Sequence, residues 1–298
     1  MGRDPPSGRA DPADLRPRLM IGDLLPEGVE SSEVFDDSRP CDLFLEEEAV
    51  ISRSAEKRRR EFTTARWCAR DALSRLGYPP VPVLPGVRGA PVWPEGVVGS
   101  ITHCAGYRAA AVARSGDVTT LGIDAEPNKP LPFGVLEAIT VDEELCRVRD
   151  LLRRDPSVRW DRLLFSAKES VYKAWFPLDP LREPRLDFTE ASISFDPAWG
   201  GFRARLLAGG PRLGDGVELE EFSGRWLVGR GLVITAIAVV AAPSTNLNTR
   251  GAPDVVDTPS IVDTPSIVDT PGVLDILEEA PDGAARASPL AAGGHHPP

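Results

Sequence analysis

One order of elements occurs twice along this chain and narrows the folds open to it. A helix-length run is followed by short strand-like runs, first over residues 55–126 and again over residues 160–240. In the first, Phe62, Ala65, Ala69, Leu73 and Leu76 recur at helical spacing along AEKRRREFTTARWCARDALSRL. Gly77 and the Pro79-Pro80 pair end that helix. A proline-rich loop, VPVLPGVRGAPVWPEG, and the segment VVGSITHC lead into YRAAAVARSG, a short alternating strand, and VTTLGIDAE is strand-like and stops at Pro127. In the second, residues 160–175 read as a helix, followed by ASISFD, GFRARLLAG and GRWLVGRGLVITAIAVV. Between the two, residues 136–152 read as a weakly patterned helix. Helices mixed with antiparallel-looking strands, rather than strict βαβα alternation, give an α+β class. The doubled order predicts two similar lobes, although no sequence repeat accompanies it.

The expected organisation is a flexible arm at 1–18, an N-terminal lobe at 19–125, a C-terminal lobe at 126–242 and a tail at 243–298. The tail repeats VDTPSI from Val256 and Val262 and degenerates to VDTPGV from Val268. A proline in every hexad removes a ladder donor each time, so no solenoid core is expected and the tail reads as disordered. It carries eight acidic residues and two arginines, or −6 of the net charge of −11. That balance disfavours nucleic acid and anionic membranes as partners. No run approaches the roughly 18 apolar residues that span a bilayer, and the first residues, MGRDPPSGRADPADLRPR, have no apolar stretch of a secretory signal. Cys41, Cys68, Cys104 and Cys146 are widely spaced, as expected of reduced cytoplasmic thiols rather than a CxxC pair or zinc site.

The chemistry concentrates in three motifs. In LGIDAEP, Asp124 and Glu126 are two apart, which in a strand places both carboxylates on one face about 7 Å apart. Oxygen ligands without nearby histidine or cysteine suit Mg²⁺; a solvated turn is the alternative. In LLFSAKESVYKAWF, Lys168, Glu169 and Lys173 are wedged among Leu164, Ala167, Val171 and Trp175, an apolar stripe. Glu169 would complete a three-carboxylate metal site with the two lysines on phosphates, or else Glu169 and Lys173 form an ordinary i,i+4 surface pair. In GSITHCAGYRAA, His103 stands in an expected polar turn with Ser100 and Thr102, and is the only histidine outside the tail. Gly99 and Gly106 would let a ligand approach; a structural histidine is the other reading. Arg58, Arg66 and Arg70 share one side of the first helix, suited to phosphate or simply solvated.

Taken in order, GSITHCAGYRAA, LGIDAEP and FSAKESVYKAW, with the EKRRREFTTARWCARDAL helix, resemble the 4′-phosphopantetheinyl transferases. The likeness is to the large two-lobed class, in the branch of enterobactin synthase component D and the mycobacterial type II enzymes, and spans about residues 25–240. It implies two α+β lobes related by a pseudo-twofold axis with a coenzyme A cleft between them. It implies transfer of the phosphopantetheine arm of coenzyme A, the co-substrate, to a serine of an apo acyl or peptidyl carrier protein. The leaving group would be 3′,5′-adenosine bisphosphate. Asp124, Glu126 and Glu169 match the family's Mg²⁺ ligands, with Mn²⁺ an alternative ion. Asp124 and Glu169 are the expected catalytic residues, and Glu169 matches the base, acting directly or through a water. Lys168 and Lys173 match lysines near the diphosphate. Arg58, Arg66 and His103 match positions that bind the adenosine phosphates, with Ser100 and Thr102 adding hydrogen bonds. Pro85 stands where relatives often carry lysine, so Arg88 becomes the candidate contact in that loop. The expected protein is a cytoplasmic monomer. A catalytically idle coenzyme A or carrier-binding module is the alternative; an unrelated Mg²⁺ phosphohydrolase fits less well, because the sequence has no P-loop.

Overall fold

The computed structural model describes residues 20–39, 41–180, 187–213 and 216–241. The expected arm at 1–18 and the hexad tail lie outside the described residues. The α+β class is observed. The elements are β1 (Glu30–Val34), α1 (Leu45–Ile51), α2 (Glu56–Arg75), β2 (Val97–Cys104), β3 (Tyr107–Arg114), β4 (Val118–Pro127), α3 (Val135–Ile139), α4 (Asp142–Arg154), α5 (Trp160–Trp175), β5 (Ala191–Asp196), β6 (Gly201–Leu206), β7 (Glu221–Gly229) and β8 (Leu232–Val240). They build two antiparallel sheets, one ordered β1-β3-β2 and one ordered β4-β8-β7-β6-β5.

Helix α2 lays Cys68, Ala69, Ala72 and Leu73 against Val34, Ala110 and Val112 of the first sheet. The alternate residues of β3, Tyr107, Ala109 and Ala111, pack with Ile123, Ala125 and Ile234 of the second. Period-two alternation thus puts an apolar residue on both faces of β3, because both faces are covered. Alanines there let the layers approach closely. In the second sheet β7 and β8 form a hairpin through Arg230 and Gly231, both at positive φ (51° and 76°). Two such residues give a turn whose twist matches the strands it joins.

The helix-then-sheet order recurs, with α2 on three strands and α5 on five, so the halves are not equal. The expected boundary after Ala125 falls inside β4, which pairs along its length with β8 and belongs to the second sheet. His103 does not lie in a turn: GSITHC is strand β2, paired with β3, and Gly106 turns the hairpin. Gly99 admits no ligand, since the Trp93 indole packs on it and donates from Nε1 to its carbonyl (3.0 Å). The weakly patterned helix over 136–152 is two helices, because Thr140 leaves helical geometry between α3 and α4.

Candidate active site

The site is built by the two faces of β4. Its odd-numbered residues Leu121, Ile123 and Ala125 are buried apolar side chains, and Ile123 and Ala125 join the core shared by both sheets. Its even-numbered residues Thr120, Gly122, Asp124 and Glu126 meet α5. Thr120 donates to the Ala174 carbonyl (2.6 Å), and a Cβ on Gly122 would lie 2.0 Å from the Ser170 carbonyl oxygen. The helix therefore rests on the strand backbone at Gly122. Ser166 and Ser170 of α5 fix it sideways through the Thr235 hydroxyl of β8 (2.9 and 2.6 Å). Beyond that contact the same strand face carries the two carboxylates beneath the helix.

On α5, residues 162, 169 and 173 share one side, two turns and then one turn apart. Lys173 Nζ donates to Asp124 Oδ1 (2.7 Å) and to the Ile123 carbonyl (3.2 Å). Arg162 Nη1 pairs with Glu126 Oε2 (3.1 Å) and its other nitrogens donate to the Lys129 and Pro130 carbonyls. Glu169 is buried at 6% exposure. Burial and the neighbouring Asp124 charge push its pKa to about 7 against the opposing pull of Lys173. Glu126 rises to about 8, through burial and then Asp124, despite Arg162 and Lys173. Burial pulls Lys173 down, but Asp124, Glu169 and Glu126 outweigh it, and its pKa is raised. The ammonium is thus held charged beside Asp124, with the Glu169 and Glu126 carboxyl groups around it.

The first sheet brings the imidazole. His103 Nε2 lies 3.0 Å from Arg58 Nη1 at the start of α2. A guanidinium only donates, so Nε2 accepts and the ring proton belongs on Nδ1. Burial, then Arg58, Lys173, Arg108 and Arg66, depress the His103 pKa to about 3, so the ring is neutral. Arg66 is buried, donates from Nε to the Val83 carbonyl (2.6 Å) and lies over Phe62; burial lowers its pKa to about 10. Arg88, at φ 54°, reaches over the Phe176 ring just after α5. Arg70 is not with them: it pairs with buried Glu47 at 2.7 Å.

Two expectations change. Lys168 does not face phosphates. Its Nζ is buried and donates to Glu144 Oε2 (2.8 Å) and to the Phe188 and Ala191 carbonyls. Four residues after Leu164 and three before Val171, it lies on the apolar stripe, where it is neutralised from α4. Ser100 and Thr102 also turn inward: Ser100 Oγ accepts from the Ile123 N–H (3.1 Å) and Thr102 Oγ1 from the Ala125 N–H (3.0 Å). Those amides stand on the edge of β4 away from β8 and need acceptors. Arg162 was not anticipated, although its seven-residue offset from Glu169 was the available signal.

Among the described residues no three His, Cys, Asp or Glu side chains gather closely enough to hold a metal ion as they stand. The donor chemistry nonetheless fits a hard divalent cation: Asp124, Glu126 and Glu169 offer only oxygen, and Asp124 Oδ2 is buried without a partner. No helix among the described residues is long and apolar enough to cross a membrane.

Residues 46–113 match the family model of the 4′-phosphopantetheinyl transferase N-terminal domain. Residues 120–227 match that of the 4′-phosphopantetheinyl transferase superfamily. The chain is 55% identical over 230 residues to the 4′-phosphopantetheinyl transferase Svp of Streptomyces mobaraensis, covering 76% of this chain and 92% of that one. It is 46% identical over 229 residues to PptT of Mycobacterium tuberculosis, covering 74% and 98%. Enterobactin synthase component D of Escherichia coli is 33% identical over 147 residues, covering 47% of this chain and 67% of that one. The two family matches meet near the start of β4, the strand on which the carboxylates converge, and the chain belongs to the 4′-phosphopantetheinyl transferase superfamily as an enzyme of that type.

Proposed function

We propose that this protein transfers the 4′-phosphopantetheine arm of coenzyme A to a serine hydroxyl of an apo acyl or peptidyl carrier protein. The observation that carries the reading is the ion pair of Asp124 on β4 with Lys173 on α5, with the Glu126 and Glu169 carboxyl groups close enough to feel both charges. Glu169, buried on α5 beside Lys173 and Asp124, is the candidate base, acting directly or through a water. It takes the serine proton, and the serine oxygen forms a bond to the phosphorus that bears the pantetheine. The bond from that phosphorus to the oxygen of the adenosine 5′-phosphate breaks, and 3′,5′-adenosine bisphosphate leaves with the electron pair. Lys173 offers positive charge to the diphosphate, and neutral His103 with Arg58 and Arg66 offers donors to the adenosine phosphates. Arg88 is the candidate contact from the loop before β2.

Asp124, Glu126 and Glu169 would hold Mg²⁺, or Mn²⁺, which when bound supplies charge against the diphosphate. The idle binding module remains the weaker reading, since such a module needs no such set of carboxylates. A monomer working in the cytoplasm belongs to the same proposal, and size-exclusion chromatography with light scattering checks its monomeric state.

The test is mass spectrometry of several apo carrier proteins incubated with the protein, coenzyme A and Mg²⁺. A gain equal to the phosphopantetheine arm is expected. No gain on any carrier removes the proposal. Glu169→Gln is expected to lower transfer at least 100-fold, at the lower bound of a lost general base, while coenzyme A binding by calorimetry survives.

A further inference from the structure

We infer that Thr102 is a positioning residue for Asp124, joining the two sheets and turning one carboxylate oxygen towards the site. The inference rests on the proposed function. Strands β2 and β4 belong to different sheets, yet Ser100 and Thr102 take the Ile123 and Ala125 amides in place of a backbone ladder. Asp124 lies between those two amides. The Thr102 hydroxyl has one proton; its oxygen already accepts from Ala125, and the proton is directed to Asp124 Oδ1 at 3.3 Å. Lys173 takes the same Oδ1 at 2.7 Å. With both donors on Oδ1, Oδ2 is the atom left buried and unpartnered. Thr102 is 2% exposed and Asp124 4%, so bulk water does not compete for the bond. Ser100 differs in one respect: it makes the same junction but does not touch the carboxylate. Groups that orient a ligating carboxylate from behind typically change metal affinity or activity 10–100-fold when removed.

The experiment uses the full chain and Mn²⁺ alone as probe, with binding followed by electron paramagnetic resonance. Steady-state transfer to a carrier is measured in parallel. Thr102→Val keeps the shape and removes the hydroxyl. It is expected to weaken Mn²⁺ about tenfold or more and to lower kcat more than it raises the KM for coenzyme A. Ser100→Ala measures the junction by itself: a Mn²⁺ loss equal to that of Thr102→Val assigns the effect to a loosened junction and overturns the inference. So does Thr102→Val with wild-type Mn²⁺ affinity, or with only the KM for coenzyme A raised, which places the hydroxyl on the ligand instead. Thr102→Ser retains the proton and is expected to stay near wild type. If the valine variant does not fold, a serine variant that folds but has lost Mn²⁺ affinity overturns the inference. Protein that binds Mn²⁺ in a Thr102-dependent manner but modifies no carrier keeps the positioning and removes the proposed transfer.

Discussion

Lys168 and Lys173, five residues apart on one helix, have opposite fates. Lys173 is partly buried, at the site, and pairs with Asp124. Lys168 is buried with Glu144, which also accepts from the Val141 and Ile193 amides. Burial lowers the Lys168 pKa, and Glu144 opposes it. Lys168→Met leaves Glu144 buried without its counter-charge and is expected to lose about 3–5 kcal/mol of stability, read by urea denaturation. Adding Glu144→Gln should recover part of the loss, since the amide still accepts. A raised KM for coenzyme A at unchanged stability would return Lys168 to the phosphates. His103 gives a pH-dependent counterpart. Its folded pKa of about 3 lies below the 6.5 of the free side chain, so the unfolded chain binds the extra proton between those values. The stability from a neutral His103 is complete above about pH 6.5 and is lost as the pH falls towards 3. Urea midpoints from pH 7 to 4 should therefore fall more steeply for wild type than for His103→Gln; parallel slopes count against the depressed value.

Two helices and one glycine show what was legible at the level of elements. The 3.6-residue pattern predicted α2 and α5, and α5 runs over the residues expected, Trp160–Trp175. What α5 rests on was not legible. Gly122 sits inside the strand-like run VTTLGIDAE with no sign of its partner, and it is where the helix backbone touches β4. Gly122→Ala should push α5 from the strand, cost roughly 1–3 kcal/mol as overpacking, and lower kcat because Glu169 and Lys173 move with the helix. Melting and steady-state transfer measure the two effects; an alanine variant with wild-type values of both denies the close approach. Strand β1 had no signal of its own. ESSEV is polar, and it is a strand because β3 pairs with it and because Glu33 is engaged by the Met20 and Ile21 amides and the Tyr107 hydroxyl. The Ser, Thr and Gly around His103 mimic turn composition, whereas the Ser100 and Thr102 hydroxyls serve a neighbouring strand edge.

Across residues 20–241 the two halves share one core: Ile21, Tyr107, Ala109 and Ala111 pack with Ile123, Ala125, Ile234 and Ala236. That shared core and the Ser100–Thr102 junction predict a single cooperative unfolding transition, with coincident curves from tryptophan fluorescence and far-ultraviolet dichroism. Two separated transitions would show the halves to be independent. By itself the sequence determined the α+β class, the two main helices and the carboxylate strand, because periodicity and charge are local properties of a chain. It also supplied Asp124, Glu126, Glu169 and Lys173 as a group through their motifs. Only the tertiary structure decided that β4 belongs to the second sheet, that Lys168 faces Glu144, and that Thr102 and Arg162 hold the carboxylates. The reason is physical: a side chain's partner is set by whichever strand edge or helix face packs against it, and those partners lie 22 residues away for Thr102 and Asp124, 24 for Lys168 and Glu144, and 36 for Arg162 and Glu126.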